Sequence, residues 1–171
     1  MVITAPKKLI AIGIDPGLAD TGFGVIVASG SKLACLEYGS LKTKAKTDLP
    51  SRLADLYQQV SRLLDKYQPD LIGIEQLFFC RNVTTAFQVG QARGVVMLAI
   101  GQRQVPCLEF TPLQIKQGVA GYGQADKQQI QKMVKLMLGL KEIPKPDDAA
   151  DGLAAALCAL QGRSILLANN I

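Results

Sequence analysis

The hydrophobic period of this sequence changes near residue 49, and the change restricts the folds that the chain can adopt. Before it, short apolar runs separated by turn residues predict three β-strands, at 9–14, 22–28 and 33–41. The second and third runs are joined by the segment from Ser29 to Lys32, a hairpin-type connection. After residue 49, apolar residues recur at spacings of three and four, which predicts an amphipathic helix over 50–67. The chain therefore begins as an antiparallel three-stranded meander that leads into a helix.

The rest of the chain alternates between strands and helices. We predict strands at 71–74 and 105–109, and helices at 83–101, 111–118, 125–138 and 148–161. The resulting order, βββ-α-β-α-β-α-α-α, predicts an α/β fold: a five-stranded mixed sheet, its first three strands antiparallel, flanked by helices. This order resembles the ribonuclease H-like architecture, and we expect one domain spanning 1–171. Topology alone does not determine what such a domain does.

The amino-acid composition limits the kinds of site and of catalysis that the chain can provide. It has no histidine, and its four cysteines form no C-x-x-C pair, which argues against a structural zinc site and against imidazole as a base. Hydrophobic residues make up 49% of the chain, so we expect strands buried on both faces or an additional apolar interface. No apolar run approaches the ~20 residues of a membrane span. Residues 1–8 hold no apolar signal core, so we expect a cytoplasmic protein. The net charge of +5 slightly favours a nucleic-acid partner.

Acidic residues stand where three apolar patterns end or begin. Asp15 follows the first strand and opens a Pro-Gly turn, where an Asp commonly does no more than hydrogen-bond the turn backbone. Glu75 closes the fourth strand, where the alternative is a side chain already exposed at a strand end. Asp148 and Asp151 are spaced for one helix face, but acids in a first turn also satisfy free N–H groups. Asp147 could equally be the helix cap.

Together, these acids are stronger evidence for a functional site than any one of them is alone. If the first and fourth strands lie side by side in parallel, Asp15 and Glu75 emerge at one carboxyl edge of the sheet, where open sheets bind ligands. The small residues at 149, 150 and 152 would let the last helix lie close to the sheet and present Asp148 and Asp151 to the same point. Converging carboxylates raise each other's pKa unless cations balance them. Mg²⁺ prefers oxygen ligands, so the pattern predicts a magnesium site.

Four segments resemble the RuvC family of crossover (Holliday) junction endodeoxyribonucleases, and the resemblance covers essentially the whole chain. They run from Ile12 to Gly17, Ile74 to Gln76, Gly90 to Gly94 and Asp148 to Asp151. The third is the most specific.

The resemblance implies that Asp15, Glu75, Asp148 and Asp151 are catalytic and bind two Mg²⁺ ions, with Mn²⁺ as a substitute, while Asp147 leaves a one-residue ambiguity for the third acid. It further implies a homodimer that resolves four-way DNA junctions by paired symmetric nicks, in DNA recombination and repair, with the RuvA–RuvB branch-migration complex as a partner.

The resemblance also implies DNA-binding residues. Phe78 and Arg81 fall in a predicted loop, where an aromatic ring can stack on an unpaired base, although a pair of aromatics after a strand is more often core. Lys116 and Lys127 are implied as DNA-backbone or catalytic lysines, against the ordinary alternative of a solvated surface lysine. The helix over 83–101 carries small residues at intervals of four, which in the family belong to the dimer interface and otherwise pack on the protein's own sheet.

Three other functions compete with this hypothesis. A ribonuclease H-like nuclease acting on RNA or RNA–DNA hybrids would share the acids. An actin- or Hsp70-like ATPase lobe also begins with Asp and Gly after an apolar strand, but that fold needs two lobes and this chain has 171 residues. A non-catalytic junction-binding protein would tolerate loss of the acids.

Overall fold

The computed structural model describes residues 8–76 and 83–168. These residues form strands and helices in the predicted order: β1 Lys8–Asp15, β2 Asp20–Ser29, β3 Lys32–Lys42, α1 Leu49–Tyr67, β4 Leu71–Glu75, α2 Val83–Gln102, β5 Cys107–Phe110, α3 Pro112–Ala120, α4 Lys127–Leu138 and α5 Asp147–Ala168.

The five strands form one mixed sheet in the order β3-β2-β1-β4-β5. Strands β1, β2 and β3 are antiparallel neighbours, and Gly30 takes a positive φ of 60° in the tight turn between β2 and β3. Strand β4 pairs in parallel with both β1 and β5. The parallel pairing of β1 with β4 matters most for function, because the carboxyl ends of parallel strands meet at one edge of the sheet. The predicted mixed sheet is confirmed.

The two faces of the sheet pack against different helices. Ile12 and Ile14 of β1 join Ile72 and Ile74 of β4 in a core covered by α1 and α2. On α1, the apolar positions that predicted a helix form its buried stripe. Asp48 caps the start of α1 by accepting a hydrogen bond from the Ser51 backbone N–H at 3.0 Å. The opposite face of the sheet is covered by α5, with α3 and α4 packed around it.

Helix α5 lies almost directly on the sheet. A Cβ atom at Gly22 of β2 would stand 1.9 Å from the Asp148 carbonyl oxygen, and one at Gly13 of β1 would stand 1.9 Å from that of Gly152. Neither distance is possible for a real side chain, so glycine is required on both strands for this close approach. The prediction that small residues let the last helix lie close to the sheet is confirmed. The start of α5 is thereby held above the ends of β1 and β2.

Five predicted boundaries were wrong by more than a residue. The starts of β2 and α4 and the end of α3 each differ by two residues, and the other two boundaries lie in β5 and α5. Strand β5 begins at Cys107 and not at 105, because Pro106 has no N–H to donate to the ladder and only its carbonyl pairs, with the Ile72 N–H at 2.8 Å. Helix α5 continues past 161 to Ala168. Gly162 does not end it, but lies inside it, where the missing side chain lets the helix pass close to Leu108 and Phe110 of β5.

No helix in the two described stretches of the chain combines the length and the apolarity that crossing a bilayer requires.

Candidate active site

Asp15 and Glu75 end adjacent parallel strands and point to the same face of the sheet. The register pairs Gly13 with Gly73 and Ile14 with Ile74, so the next position along both strands brings Asp15 beside Glu75. Side chains alternate between the faces of a strand. Since Gly13 and Gly73 face α5, the two acids two residues further on face α5 as well. The strand arrangement predicted from the sequence is therefore present.

The first turns of α5 supply two further carboxylates. Asp148 and Asp151 are separated by three positions and lie on one face of the helix. One carboxylate oxygen each from Asp15, Asp148 and Asp151 lies within 4.8 Å of the other two. Glu75 is outside this group of three but lines the same cleft, of about 280 Å³, together with Asp15 and Asp151. The structure thus brings the four predicted acids to one edge of the sheet, on one face.

The electrostatics of the cleft disfavour ionised acids. Burial raises the pKa of Asp15 from 3.8 to about 6, and the nearby charges of Asp151 and Asp148 add to the rise. Burial likewise raises the pKa of Glu75 from 4.5 to about 7, with Asp15 and Asp151 contributing. The pKa of Asp151 is raised by burial too, against the opposing effect of Lys127. Among the described residues, the lysines do not offset the effects of burial and mutual repulsion on these three acids.

Two lysines reach the cleft from helices on the same side of the sheet. Lys127, the first residue of α4, places its Nζ 3.3 Å from Asp151 Oδ2 and 3.6 Å from Asp147 Oδ2. Burial alone would lower the pKa of Lys127, but the carboxylates of Asp151, Asp147 and Asp148 together raise it. Lys116 of α3 lines the cleft and lowers the pKa of Glu75 through its charge. Both lysines singled out in the sequence therefore lie at the acids.

The structure separates the neighbouring acids Asp147 and Asp148. Asp147 turns towards α4, where its Oδ1 accepts a hydrogen bond from Gln131 Nε2 at 3.1 Å. Asp148 instead joins Asp15 and Asp151. Sequence reasoning left this choice open and missed Gln131. The available signal was a polar residue, four positions after Lys127, inside the otherwise apolar stripe of α4.

The donor set fits hard divalent cations. Three carboxylate oxygens from different positions converge within 4.8 Å, and oxygen ligands of this kind suit Mg²⁺, Mn²⁺ or Ca²⁺. The raised pKa values of Asp15 and Glu75 point the same way, because bound cations would offset both the burial of these carboxylates, which is the main cause of the rise, and the repulsion between them. Phe78 and Arg81, the other predicted DNA-binding residues, lie outside the described residues.

The sheet order and the acidic cleft define the chain as a protein of the ribonuclease H-like class. The family model "Crossover junction endodeoxyribonuclease RuvC" matches residues 11–159. The chain belongs to the RuvC family.

Relatives and solved structures agree with this assignment. RuvC of Brevibacillus brevis is 52% identical over 155 residues, covering 91% of this chain and 93% of the relative. RuvC of Desulfitobacterium hafniense is 51% identical over 158 residues, covering 92% and 96%. The structure of Thermus thermophilus RuvC superposes with a TM-score of 0.85 at 34% identity, covering 92% of this chain and 96% of that one. T. thermophilus RuvC in complex with a Holliday junction substrate superposes at 0.83 and 35%, covering 88% and 92%. The predicted family and fold class are both confirmed.

Proposed function

We propose that this protein is a crossover junction endodeoxyribonuclease, which resolves four-way DNA junctions by paired symmetric nicks in recombination and repair. The observation that carries the proposal is the convergence of Asp15, Asp148 and Asp151 within 4.8 Å, beside Glu75, in a cleft that also holds two lysines. Family membership and the junction complex of the T. thermophilus relative support the choice of substrate.

The proposed cofactor is Mg²⁺, two ions per subunit, held by Asp15, Glu75, Asp148 and Asp151, with Mn²⁺ as a substitute. When bound, such ions activate a water molecule and stabilise the leaving oxygen of a phosphodiester. The proposed reaction adds water across the P–O3′ bond and leaves a 5′ phosphate and a 3′ hydroxyl. Metal-dependent chemistry agrees with the absence of histidine from the chain.

The protein's own residues bind and orient the DNA strand in this proposal. Lys127 and Lys116 each carry an ammonium group at the rim of the cleft, where the phosphodiester backbone has to pass to reach the acids. Their charge attracts the phosphate that four carboxylates would otherwise repel. The half-buried setting of Asp15 and Glu75 limits the water around the reacting group, which strengthens the electrostatic interactions there.

A homodimer is part of the proposal, because one dimer with twofold symmetry would place two such clefts on a junction of matching symmetry. Helix α2 supplies a candidate interface on the face of the sheet away from α5. Phe87 and Leu98 are 70% and 55% exposed there, in a stripe with Gln91 and Gly94. An exposed apolar stripe of this kind is typical of an association surface. The RuvA–RuvB complex as a partner, and the cytoplasm as the location, are part of the proposal, and family membership is their sole support.

The direct test incubates the protein with a synthetic four-way junction, with linear duplex and with an RNA–DNA hybrid, each with Mg²⁺ and with chelator. We expect cutting of the junction only, and only with the metal. Asp15→Asn should abolish cutting while junction binding is retained, because the lysines remain. Asp55→Asn, an exposed position on α1 across the sheet, is the matched control and should cut normally. Cleavage of the hybrid in preference to the junction would favour the ribonuclease alternative and overturn the proposal.

A further inference from the structure

A second groove adjoins the acidic cleft and has a different chemistry. It has a volume of about 390 Å³ and is lined by Thr111, Pro112, Leu113, Lys116 and Gly123. Pro112 and Lys116 line the acidic cleft as well, so the two depressions are continuous. The acids and Lys127 border only the first. The surface therefore passes from charged to apolar across Lys116.

The apolar wall of the groove is built at the start of α3. Thr111 caps this helix through a reciprocal pair of hydrogen bonds with Gln114, and Pro112 occupies its first turn. The next residue, Leu113, is 58% exposed although it is held on a well-capped helix. The backbone after α3 returns to contact it: a Cβ atom at Gly123 would stand 2.3 Å from Leu113 Cδ1. Gly123 thus packs directly against Leu113, and a side chain at 123 would displace the flexible end of that leucine.

We propose that this groove receives one nucleoside of the DNA strand being cut, next to the phosphate held in the acidic cleft. A nucleic-acid strand alternates anionic phosphates with nucleosides that present apolar faces. The surface offers the same alternation, with cationic groups at the cleft, Lys116 at the boundary and an apolar wall beyond it. The volume lies within the range of sites for small organic ligands, so a nucleoside fits. This inference rests on the proposed function, because it takes a DNA strand to lie in the cleft.

The groove gives Leu113 a defined role in specificity. Apolar contact with a base depends on the shape of that base and is lost when the base is absent. Lys116, at the boundary of the two depressions, attracts the phosphate, whose charge is the same beside every base. Leu113 thus makes cutting sensitive to the identity of one nucleotide near the scissile phosphate, and Lys116 does not.

The test is a double-mutant cycle between the protein and the DNA. Abasic residues are placed singly at each of the positions flanking the cut site of a synthetic junction. Cleavage rates with Mg²⁺, and binding by fluorescence anisotropy with chelator, are measured for wild type and for Leu113→Ala. Leu136→Ala, a 74% exposed leucine on the outer side of α4, is the matched control. Leu113→Met, which keeps an apolar side chain, tests for rescue.

At one position, we expect the abasic residue to lower the cleavage rate and the junction affinity of wild type by about fivefold or more, as the loss of a few buried apolar groups implies. The cleavage rate and affinity of Leu113→Ala should fall little further when that abasic residue is present. Those of Leu136→Ala and Leu113→Met should fall as much as those of wild type. If the loss caused by Leu113→Ala and the loss caused by the abasic residue multiply independently at every position, the inference is overturned. A failure of wild type to cut any junction would overturn the proposed function instead, and the binding cycle would still decide the role of the groove.

Discussion

Replacing Asp15 by asparagine should stabilise the metal-free protein at the same time as it abolishes cutting. The pKa of Asp15 is raised from 3.8 to about 6, chiefly by burial. A raised pKa means that the folded state binds the proton more tightly than the unfolded state does. The stability that this provides is fully present below pH 3.8 and is lost as the pH rises through about 6. At pH 8, the ionised Asp15 therefore destabilises the fold, and an uncharged asparagine of similar shape removes that penalty.

The size of the gain follows from the pKa. A difference of about two units corresponds to roughly 3 kcal/mol at 1.36 kcal/mol per unit. Some of this is shared with Glu75 and Asp151, whose ionisation is coupled to that of Asp15, so we expect about 2 kcal/mol in the free energy of unfolding. For a protein of this size, that corresponds to a rise in Tm of roughly 4–8 °C.

The assay is thermal unfolding in chelator, at pH 8 and at successively lower pH. The difference between Asp15→Asn and wild type should be largest at pH 8 and should shrink towards pH 4, where wild type has taken up its proton. Added Mg²⁺ should raise the Tm of wild type more than that of the variant, since ligands that bind only the folded state stabilise it. Asp55→Asn should show neither effect. A variant no more stable than wild type at pH 8, or a difference that does not vary with pH, would refute the electrostatic reasoning.

Two further pairs of substitutions test the geometry of the site. Asp148→Asn should lower the rate of Mg²⁺-dependent cleavage by more than the roughly 10–100-fold typical of residues that only support a metal ligand. Asp147→Asn should lower that rate by less than about tenfold, because the exposed ion pair of Asp147 with Lys127 is weak. Equal losses of rate in a junction-cleavage assay would contradict the separation of the two acids. Gly22→Ala should reduce the free energy of unfolding in urea by about 3 kcal/mol or more, since its Cβ would stand 1.9 Å from the Asp148 carbonyl, while Gly101→Ala, an open position on α2, should be neutral or slightly stabilising. A well-tolerated alanine at 22 would mean that α5 does not lie as close to the sheet as described.

The order and faces of the elements could be predicted from the sequence because each depends on local periodicity. The apolar run before Asp15 alternates isoleucine with alanine and glycine, so one face of β1 packs in the α1 and α2 core and the other leaves room for a helix. Pairing of β1 with β4 then follows from the few topologies that a βββ-α-β order allows. With that pairing, Asp15 and Glu75 emerge at one edge of the sheet, which the sequence predicted on the condition that the two strands are parallel neighbours. The extent of the single domain stays a prediction.

The network around Lys127 was not predictable, because it depends on how α4 and α5 pack together and not on any local pattern. Lys127 begins α4, while Asp147 and Asp151 lie in the first turns of α5, so their ion pairs exist only because α4 crosses the start of α5. The same packing decides between Asp147 and Asp148. Gln131 of α4 donates to Asp147 and holds it away from the other acids, whereas Asp148 is held over the sheet by the contact of its backbone with Gly22. Two adjacent aspartates with the same charge and the same helix propensity thus acquire different surroundings through one glutamine and one glycine. Cleavage by the Asp147 and Asp148 variants is therefore a measurement of packing as much as of chemistry. If, in a Gln131→Ala background, replacing Asp147 lowered the cleavage rate as much as replacing Asp148, the contact between the helices, and not the position along the chain, would be established as the cause of their difference.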